Sequence, residues 1–287
     1  MKTDRFLIKP DSKFRLKDYD PGDTDGLKDK EEGKAALSKH IKTLVDYQDK
    51  LYAQDTHAIL IIVQAMDTSG KDGVIRSVMS GLSPIGTHVY AFKSPSSEEL
   101  SHDFLWRCTK VLPERGSIAV FNRSYYEDVL IVRVHPELLD AQKLPEEAKT
   151  KNIWKDRFEQ INDYERNLVS NGTIVLKFFL YLSKEEQRQR LLARIETPEK
   201  NWKFSLDDIK ERACWDEYMK AFEDALDNTS TKHAPWYIIP ADHKWYTRAS
   251  VAAVIAQTLE SLDPKYPTVD DEQKAKLLEA KESLENE

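Results

Sequence analysis

Leu60 to Gly73 read "LIIVQAMDTSGKDG", the pattern of a phosphate-binding loop altered at both ends. The usual form is Gly, four residues, Gly-Lys, then Ser or Thr. Here Ala65 stands at the first glycine, Asp72 follows Lys71, and Asp67 places a second carboxylate inside the loop. The run leading into it, "HAILIIVQAM", is almost continuously apolar, as a strand buried on both faces of a parallel sheet would be. The run leaving it, "KDGVIRSVMSGL", reads as helical. A glycine-rich turn at a helix N-terminus presents several N–H donors to an anion. Thr68, Ser69, Gly70 and Gly73 supply that backbone, and Lys71 can set a cation over the phosphates. The plain alternative is a strand-to-helix turn in which Gly70 and Gly73 serve geometry alone. It does not account for strand, lysine and glycines together.

Outward from the loop, further strands are expected at "HVYAF" (88–92), "SIAVFN" (117–122), "TIVLKFFLYL" (173–182) and "WYIIPA" (236–241). Helical stretches separate them. "EELSHDFLWRCTKVL" and "IWKDRFEQINDYERNLV" repeat apolar residues every three or four positions, and a helix is expected from about Glu31 to Gln54. Strand alternating with helix implies an α/β fold with a parallel, helix-covered sheet, whose ligands bind outside the carboxyl ends of the strands. Residues 1–30 read as charged and turn-rich. The segment from "RIETPEKNWKFS" to Asn228 is a charged, helical excursion suited to a lid, and "DDEQKAKLLEAKESLENE" reads as a solvated acidic helix. There is no internal repeat and no low-complexity segment.

The chain has 287 residues, a formal net charge of -7, six Trp and a hydrophobic fraction of 40%, enough for one large domain or two modest ones. The negative charge argues against a general nucleic-acid binder, though a local basic groove for a smaller polyanion is compatible with it. Cys108 and Cys214 lack metal-ligand or CxxC spacing and read as reduced core thiols of a cytoplasmic protein. No signal-peptide pattern or membrane-length apolar run occurs, so no membrane association is expected.

Bare carboxylates beside a phosphate chain would repel it, and a divalent cation reverses that sign. Mg²⁺ commonly binds through one or two carboxylates plus phosphates and waters. Asp67 is the candidate for catalytic or metal work, whereas Asp72 either joins a metal site or caps the helix after Lys71. The third strand ends in "FNRSYYEDVL" (121–130), where a second metal carboxylate is expected; Asp128 and Glu127 are the candidates. Arg123 can neutralise charge on a transferring phosphoryl group or, on the plainer reading, pair with Glu127 or Asp128 at a helix start.

Together "QAMDTSGKDG", "SGLSPIGTHVYAFKSPSSEELSHDFLWR", "FNRSYYEDVL", "RIETPEKNWKFS", "RACWDEYMKAFEDAL" and "HAPWYIIPADHKWYTR" resemble polyphosphate kinase family 2, in the family's order and spacing, over roughly residues 55–265. The resemblance implies a thymidylate-kinase-like P-loop kinase: a three-layer fold with a central parallel sheet and a helical lid. It also implies Mg²⁺- or Mn²⁺-dependent movement of phosphoryl groups between inorganic polyphosphate and adenine nucleotides, in a homodimer or homotetramer. On this reading residues 1–54 are an N-terminal extension and helix, 55–265 the kinase core with its lid at about 195–228, and 266–287 the tail.

By the same resemblance the family's loop aspartate and lysine fall on Asp67 and Lys71, its second-motif arginine on Arg123, and its lid cations on Arg194, Lys203 and Arg212. Asp67 and Asp128 are the expected metal ligands. Lys93 and Arg133 join the expected phosphate- or nucleotide-binding set, as do the loop residues, Asn122 and Glu127. Many members carry an aspartate before the arginine and an asparagine four residues after it. Asn122, Glu127 and Asp128 instead resemble the class III subgroup, in which Ala65 is normal and which is associated with phosphorylating both AMP and ADP. Asn122 is expected to free Arg123 from a close ion pair. Glu127 is expected either to accept from an adenine amino group or to hold a metal-bound water. The competing readings are an ATP-dependent nucleoside monophosphate kinase, a nucleotide-binding regulator without turnover, and a nucleic-acid-binding ATPase module. Only the family motifs separate the first of these from the polyphosphate enzyme. The lid and Arg123 oppose the second, and the third lacks a basic stripe.

Overall fold

The apolar run before the loop is the central strand of a five-stranded sheet in the computed structural model, which describes residues 2–10 and 12–287. The strands are β1 (Ala58–Ala65), β2 (Thr87–Ala91), β3 (Ile118–Asn122), β4 (Thr173–Tyr181) and β5 (Trp236–Pro240). Their order is β2-β3-β1-β4-β5 and every pairing is parallel. The helices are α1 (Lys30–Gln54), α2 (Lys71–Val78), α6 (Ile153–Ser170), α7 (Lys184–Glu196), α8 (Leu206–Ala213), α9 (Trp215–Thr229), α10 (Lys244–Leu262) and α11 (Asp271–Glu285). Between α2 and α6 lie three single turns, α3 (Trp106–Thr109), α4 (Ile131–Val134) and α5 (Glu137–Asp140).

Side chains of a strand alternate between faces, and β1 divides accordingly. Leu60 and Ile62 pack with Phe121, Phe179 and Trp236 under α6 and α9. Ile59, Ile61 and Val63 pack with Val120, Phe178 and Leu180 under α1, α2 and α10. The result is a helix–sheet–helix sandwich. Register places Val63 beside Asn122, so the loop after β1 stands next to the polar end of β3.

The N-terminal extension is more integrated than its charge suggests. Phe6, Ile8, Phe14 and Leu16 are buried. Leu7 bridges Tyr237 antiparallel, and the Ile8 amide donates to the Trp236 carbonyl at 2.9 Å, which covers an otherwise open sheet edge. Leu44 and Leu51 of α1 lie in the same cluster as α10. The expected division at residue 54 is therefore not a break in packing.

The segment expected as one helix over 98–112 is broken. It forms a short turn at Glu99–Ser101 and then α3, with His102 extended between them. Two separate starts divide it: Ser96 and Glu99 form a capping box, the Glu99 carboxylate accepting from the Ser96 amide at 2.7 Å and the Glu99 amide donating to the Ser96 hydroxyl at 3.2 Å, and Asp103 accepts from the Leu105 amide at 3.0 Å at the start of the next turn.

Within the lid region, no residue from Leu192 to Cys214 is buried, and α8 stands on a Ser205–Asp208 capping box. By contrast, α9 puts Trp215, Phe222 and Leu226 into the core. α11 buries nothing. Cys108 is buried, Cys214 half-buried, and both are free. Burial pushes the Cys108 thiol up to about 12. No helix among the described residues is long and apolar enough to cross a membrane.

Candidate active site

The loop after β1 is tied down by its own residues. The Ser69 hydroxyl donates to the Met66 carbonyl at 2.7 Å, and the buried Thr68 holds a left-handed φ of 67°. Gly70, at φ 98°, is the N-cap of α2 and has no side chain to bond the following amides. The first intrahelical bond is that from the Val74 amide to the Gly70 carbonyl. The earlier amides point out of the helix end, where anions are favoured.

Lys71 arches back over the loop. Its Nζ donates to the Ala65 carbonyl at 2.9 Å and the Met66 carbonyl at 3.3 Å, and lies 4.0 Å from Asp67 Oδ1. Burial lowers its pKa, and Asp67 opposes that shift.

Arg123 leaves the end of β3 with a left-handed φ of 66°, its amide bonded to the Val63 carbonyl. This conformation is unfavourable for a residue with a Cβ, and it turns the guanidinium to the loop. Arg123 Nη2 donates to Asp67 Oδ1 at 3.0 Å, and Nη1 lies 3.6 Å from Glu127 Oε2. Glu127 first, and then Asp67 against the cost of burial, raise its pKa further.

The expectation for Asn122 is corrected. Its amide donates to Asp72 Oδ1 at 2.7 Å, while Arg123 remains ion-paired on both sides. A neutral residue at 122 thus matters through Asp72: a carboxylate there would face a second carboxylate. Asp72 itself lies in the first turn of α2, where negative charge suits the helix dipole, but Gly70 holds the cap position.

A buried network anchors this motif from below. Tyr125 and Tyr126 each donate to Glu165 Oε1 at 2.9 Å. Lys177 Nζ meets Glu165 Oε2 at 2.6 Å and the Thr229 carbonyl at 2.7 Å. Lys177 and Glu165 are both 0% exposed, so the charges are tolerable only because every partner is present. The lone lysine within the apolar run "TIVLKFFLYL" was the signal for it.

Asp128 is engaged by partners other than those of Asp67. It is buried against Gln142 Nε2 at 2.5 Å and Arg157 Nη1 at 3.7 Å, and among the described residues the two carboxylates share no partner. Burial pushes Asp128 up to about 6 despite Arg157. No group of three or more His, Cys, Asp or Glu among the described residues is placed to hold a metal.

The lid cations are engaged within the protein. Arg194 meets Asp208 at 3.2 Å, Arg212 donates to the Lys184 carbonyl at 2.7 Å and to Gln187 Oε1 at 2.8 Å, and Lys203 lies 4.9 Å from the ring of the exposed Trp202. Arg133 pairs with Asp224 on α9, and Lys93 is exposed just past β2. The sequence reading missed Gln187 and Arg190 of α7, which donate to the loop's carbonyls.

The structure thus gathers Asp67, Lys71, Asp72, Asn122, Arg123 and Glu127 at the carboxyl ends of β1 and β3. The family described as polyphosphate kinase 2 matches residues 27–267. The chain is 48% identical over 285 residues to an ADP-polyphosphate phosphotransferase of Rhodopseudomonas palustris, covering 99% of each. It is 42% identical to an AMP/ADP-polyphosphate phosphotransferase of Meiothermus ruber, covering 92% of this chain and 95% of that one. The crystal structure of polyphosphate kinase 2 from Arthrobacter aurescens TC1 superposes with a TM-score of 0.87 at 39% identity, over 96% of this chain and 95% of that one.

Proposed function

The chain belongs to the polyphosphate kinase 2 family, and we propose that it moves phosphoryl groups between inorganic polyphosphate and both AMP and ADP. Transfer between polyphosphate and nucleotides follows from the family and its relatives. The observation that carries the site assignment is the meeting of Asp67, Lys71 and Arg123 at the loop, with Arg123 Nη2 3.0 Å from Asp67.

In this reading the loop amides and Lys71 hold the phosphate chain. An oxygen of the acceptor nucleotide's terminal phosphate attacks the chain's terminal phosphorus; the new O–P bond forms as the bridging P–O bond breaks and the shortened chain leaves with the electron pair. That acceptor oxygen is already ionised near neutral pH, so no strong general base is required. The difficulty is bringing two anions together, and positioning with charge neutralisation must overcome it. Arg123 is placed to do so, its charge held between Asp67 and Glu127 until phosphate competes for it.

The donor set suits Mg²⁺ held by few protein ligands. Asp67 and Glu127 share Arg123, whereas Asp128 is engaged by Arg157 and Gln142, so Asp67 with Glu127 would hold the ion. Bound there, the ion would supply positive charge against the negative charge of the phosphates.

The test is chromatography of nucleotides after mixing protein, Mg²⁺, polyphosphate and AMP without ATP. ADP should appear first and ATP after it. A product that stops at ADP, or untouched AMP, would defeat the two-acceptor reading while leaving the family intact. Turnover only when ATP is supplied would favour the conventional kinase.

The lid arginine gives a smaller effect. Arg194→Gln should raise the KM for polyphosphate several-fold, by roughly the worth of one charge-assisted contact, and flatten its salt dependence. Unchanged values would mean that Arg194 serves only its pair with Asp208.

A further inference from the structure

We propose that Gln187 and Arg190 of α7 are positioning residues that set the orientation of the phosphate loop, and that Arg212 links the lid to them. The inference rests on the reading that this loop holds phosphate. Gln187 Nε2 donates to the Asp67 carbonyl at 3.2 Å. Arg190 Nη1 donates to the Thr68 and Ser69 carbonyls at 3.1 and 3.0 Å. Three successive loop carbonyls therefore face one side of one helix, from residues a single turn apart.

A trans peptide unit is planar, with its N–H directed opposite its C=O. Holding those carbonyls on α7 directs the amides of Thr68 and Gly70 the other way, towards the side where a phosphate chain would lie, while the Ser69 amide between them is taken by the Met66 carbonyl at 3.3 Å. Free N–H groups on that side, with those of the first turn of α2, make an anion-binding concavity. The loop needs this restraint, because Thr68 is left-handed and Gly70 has no side chain to brace it.

The rest of the Arg190 guanidinium is fixed as well. Its Nη2 donates to the Ala241 and Asp242 carbonyls at 2.7 and 2.9 Å, and its Nε to Glu186 at 2.7 Å. Asp242 in turn accepts from the Ser183 amide, where α7 begins. The loop is thereby tied to the end of β5 and the start of α7 through one planar fork of donors, a geometry that a lysine cannot reproduce. Arg212, from the lid, bonds the other end of the Gln187 amide at 2.8 Å. A shift of the lid can reach the Asp67 peptide through one side chain.

The test uses the full chain and three variants: Arg190→Lys, Arg190→Met and Gln187→Met. Binding of magnesium tripolyphosphate is measured by calorimetry, steady-state kinetics are run with polyphosphate and AMP varied separately, and hydrogen exchange is followed at Thr68–Gly73. Both Arg190 variants should bind tripolyphosphate at least ~10-fold more weakly and raise the polyphosphate KM by a similar factor. The AMP KM should stay near its original value, and loop amides should exchange faster than those of β1. Gln187→Met should move the same quantities in the same direction by a smaller factor. A folded Arg190→Lys protein with unaltered tripolyphosphate affinity and polyphosphate KM would overturn the proposal. Should neither Arg190 variant fold, Gln187→Met decides it alone, and unaltered values there overturn it. Failure of the unaltered protein to bind tripolyphosphate would instead remove the phosphate-loop reading on which the inference stands.

Discussion

Lys71→Ala and Asp67→Asn should each lose at least ~100-fold in turnover while the protein stays folded. A factor of 100 corresponds to about 2.7 kcal/mol of transition-state stabilisation, within reach of one pre-placed charge in a partly dehydrated site. Lys71 Nζ rests on the Ala65 and Met66 carbonyls, so it is already where the loop's backbone would present a phosphate chain. Alanine removes the cation and leaves those carbonyls to water. Asn in place of Asp67 keeps the shape but drops the charge that orients Arg123 at 3.0 Å; Glu127, at 3.6 Å from the other guanidinium nitrogen, then pulls Arg123 towards itself. Asp67 lies on the loop and Lys71 opens α2, both outside the two packed clusters, so the core is untouched. The measurement is kcat with polyphosphate and ADP, beside circular dichroism and a melting curve. Near-normal turnover in folded Asp67→Asn would remove the catalytic role of that residue.

Much of this site was legible because its signals are local. β1, β3, β4 and β5 are apolar runs bounded by polar residues, and each forms within a residue or two of the expected place. The loop lies between a strand and a helix, and chain order alone puts Asp67 within reach of Lys71. What the sequence hid depends on long-range pairing or on competition within the backbone. "EELSHDFLWRCTKVL" has helical periodicity, but a Ser96–Glu99 capping box starts one short turn and Asp103, bonded to the Leu105 amide, starts another. Phe6, Ile8, Phe14 and Leu16 sit among charges and find the core through distant partners: the β5 edge pairs with Leu7 and Ile8, and Asp227 and Glu223 of α9 accept from the Phe14 and Leu16 amides. Asp128 and Glu127 are neighbours in one turn, and nothing in their spacing says which faces Arg123. That choice is made by Arg157 on α6, which takes Asp128, and by the tyrosines that anchor the turn on Glu165. Nothing in the charged run "KEEQRQRLLARIE" marks Arg190, because four of its five acceptors are backbone carbonyls.

Removing divalent metal should abolish activity altogether, and adding back Mg²⁺ or Mn²⁺ should restore it. The physical reason is the crowding of like charge. Asp67, Asp72 and Glu127 lie close enough to perturb Lys71 together, and Lys71 and Arg123 are the cations at their centre. A polyphosphate chain and a nucleotide each bring several more negative charges to this place. Without a divalent ion those charges outweigh two side-chain cations, and close approach of the two substrates is unfavourable. The same arrangement predicts which carboxylates matter. Asp67→Asn and Glu127→Gln should raise the Mg²⁺ concentration needed for half-maximal rate, because these two carboxylates converge on Arg123. Asp128→Asn should shift that concentration far less and act chiefly on stability, since it weakens the contact with Arg157 inside the fold. Calorimetry of tripolyphosphate binding with and without Mg²⁺ gives a readout independent of turnover: the metal should strengthen binding to the unaltered protein and do so less for Asp67→Asn. Full activity in excess EDTA would sink the metal reading. A Mg²⁺ requirement that moves with Asp128 but not with Glu127 would show that the second ligand is the buried carboxylate after all, and that Arg157 must release it when substrate arrives.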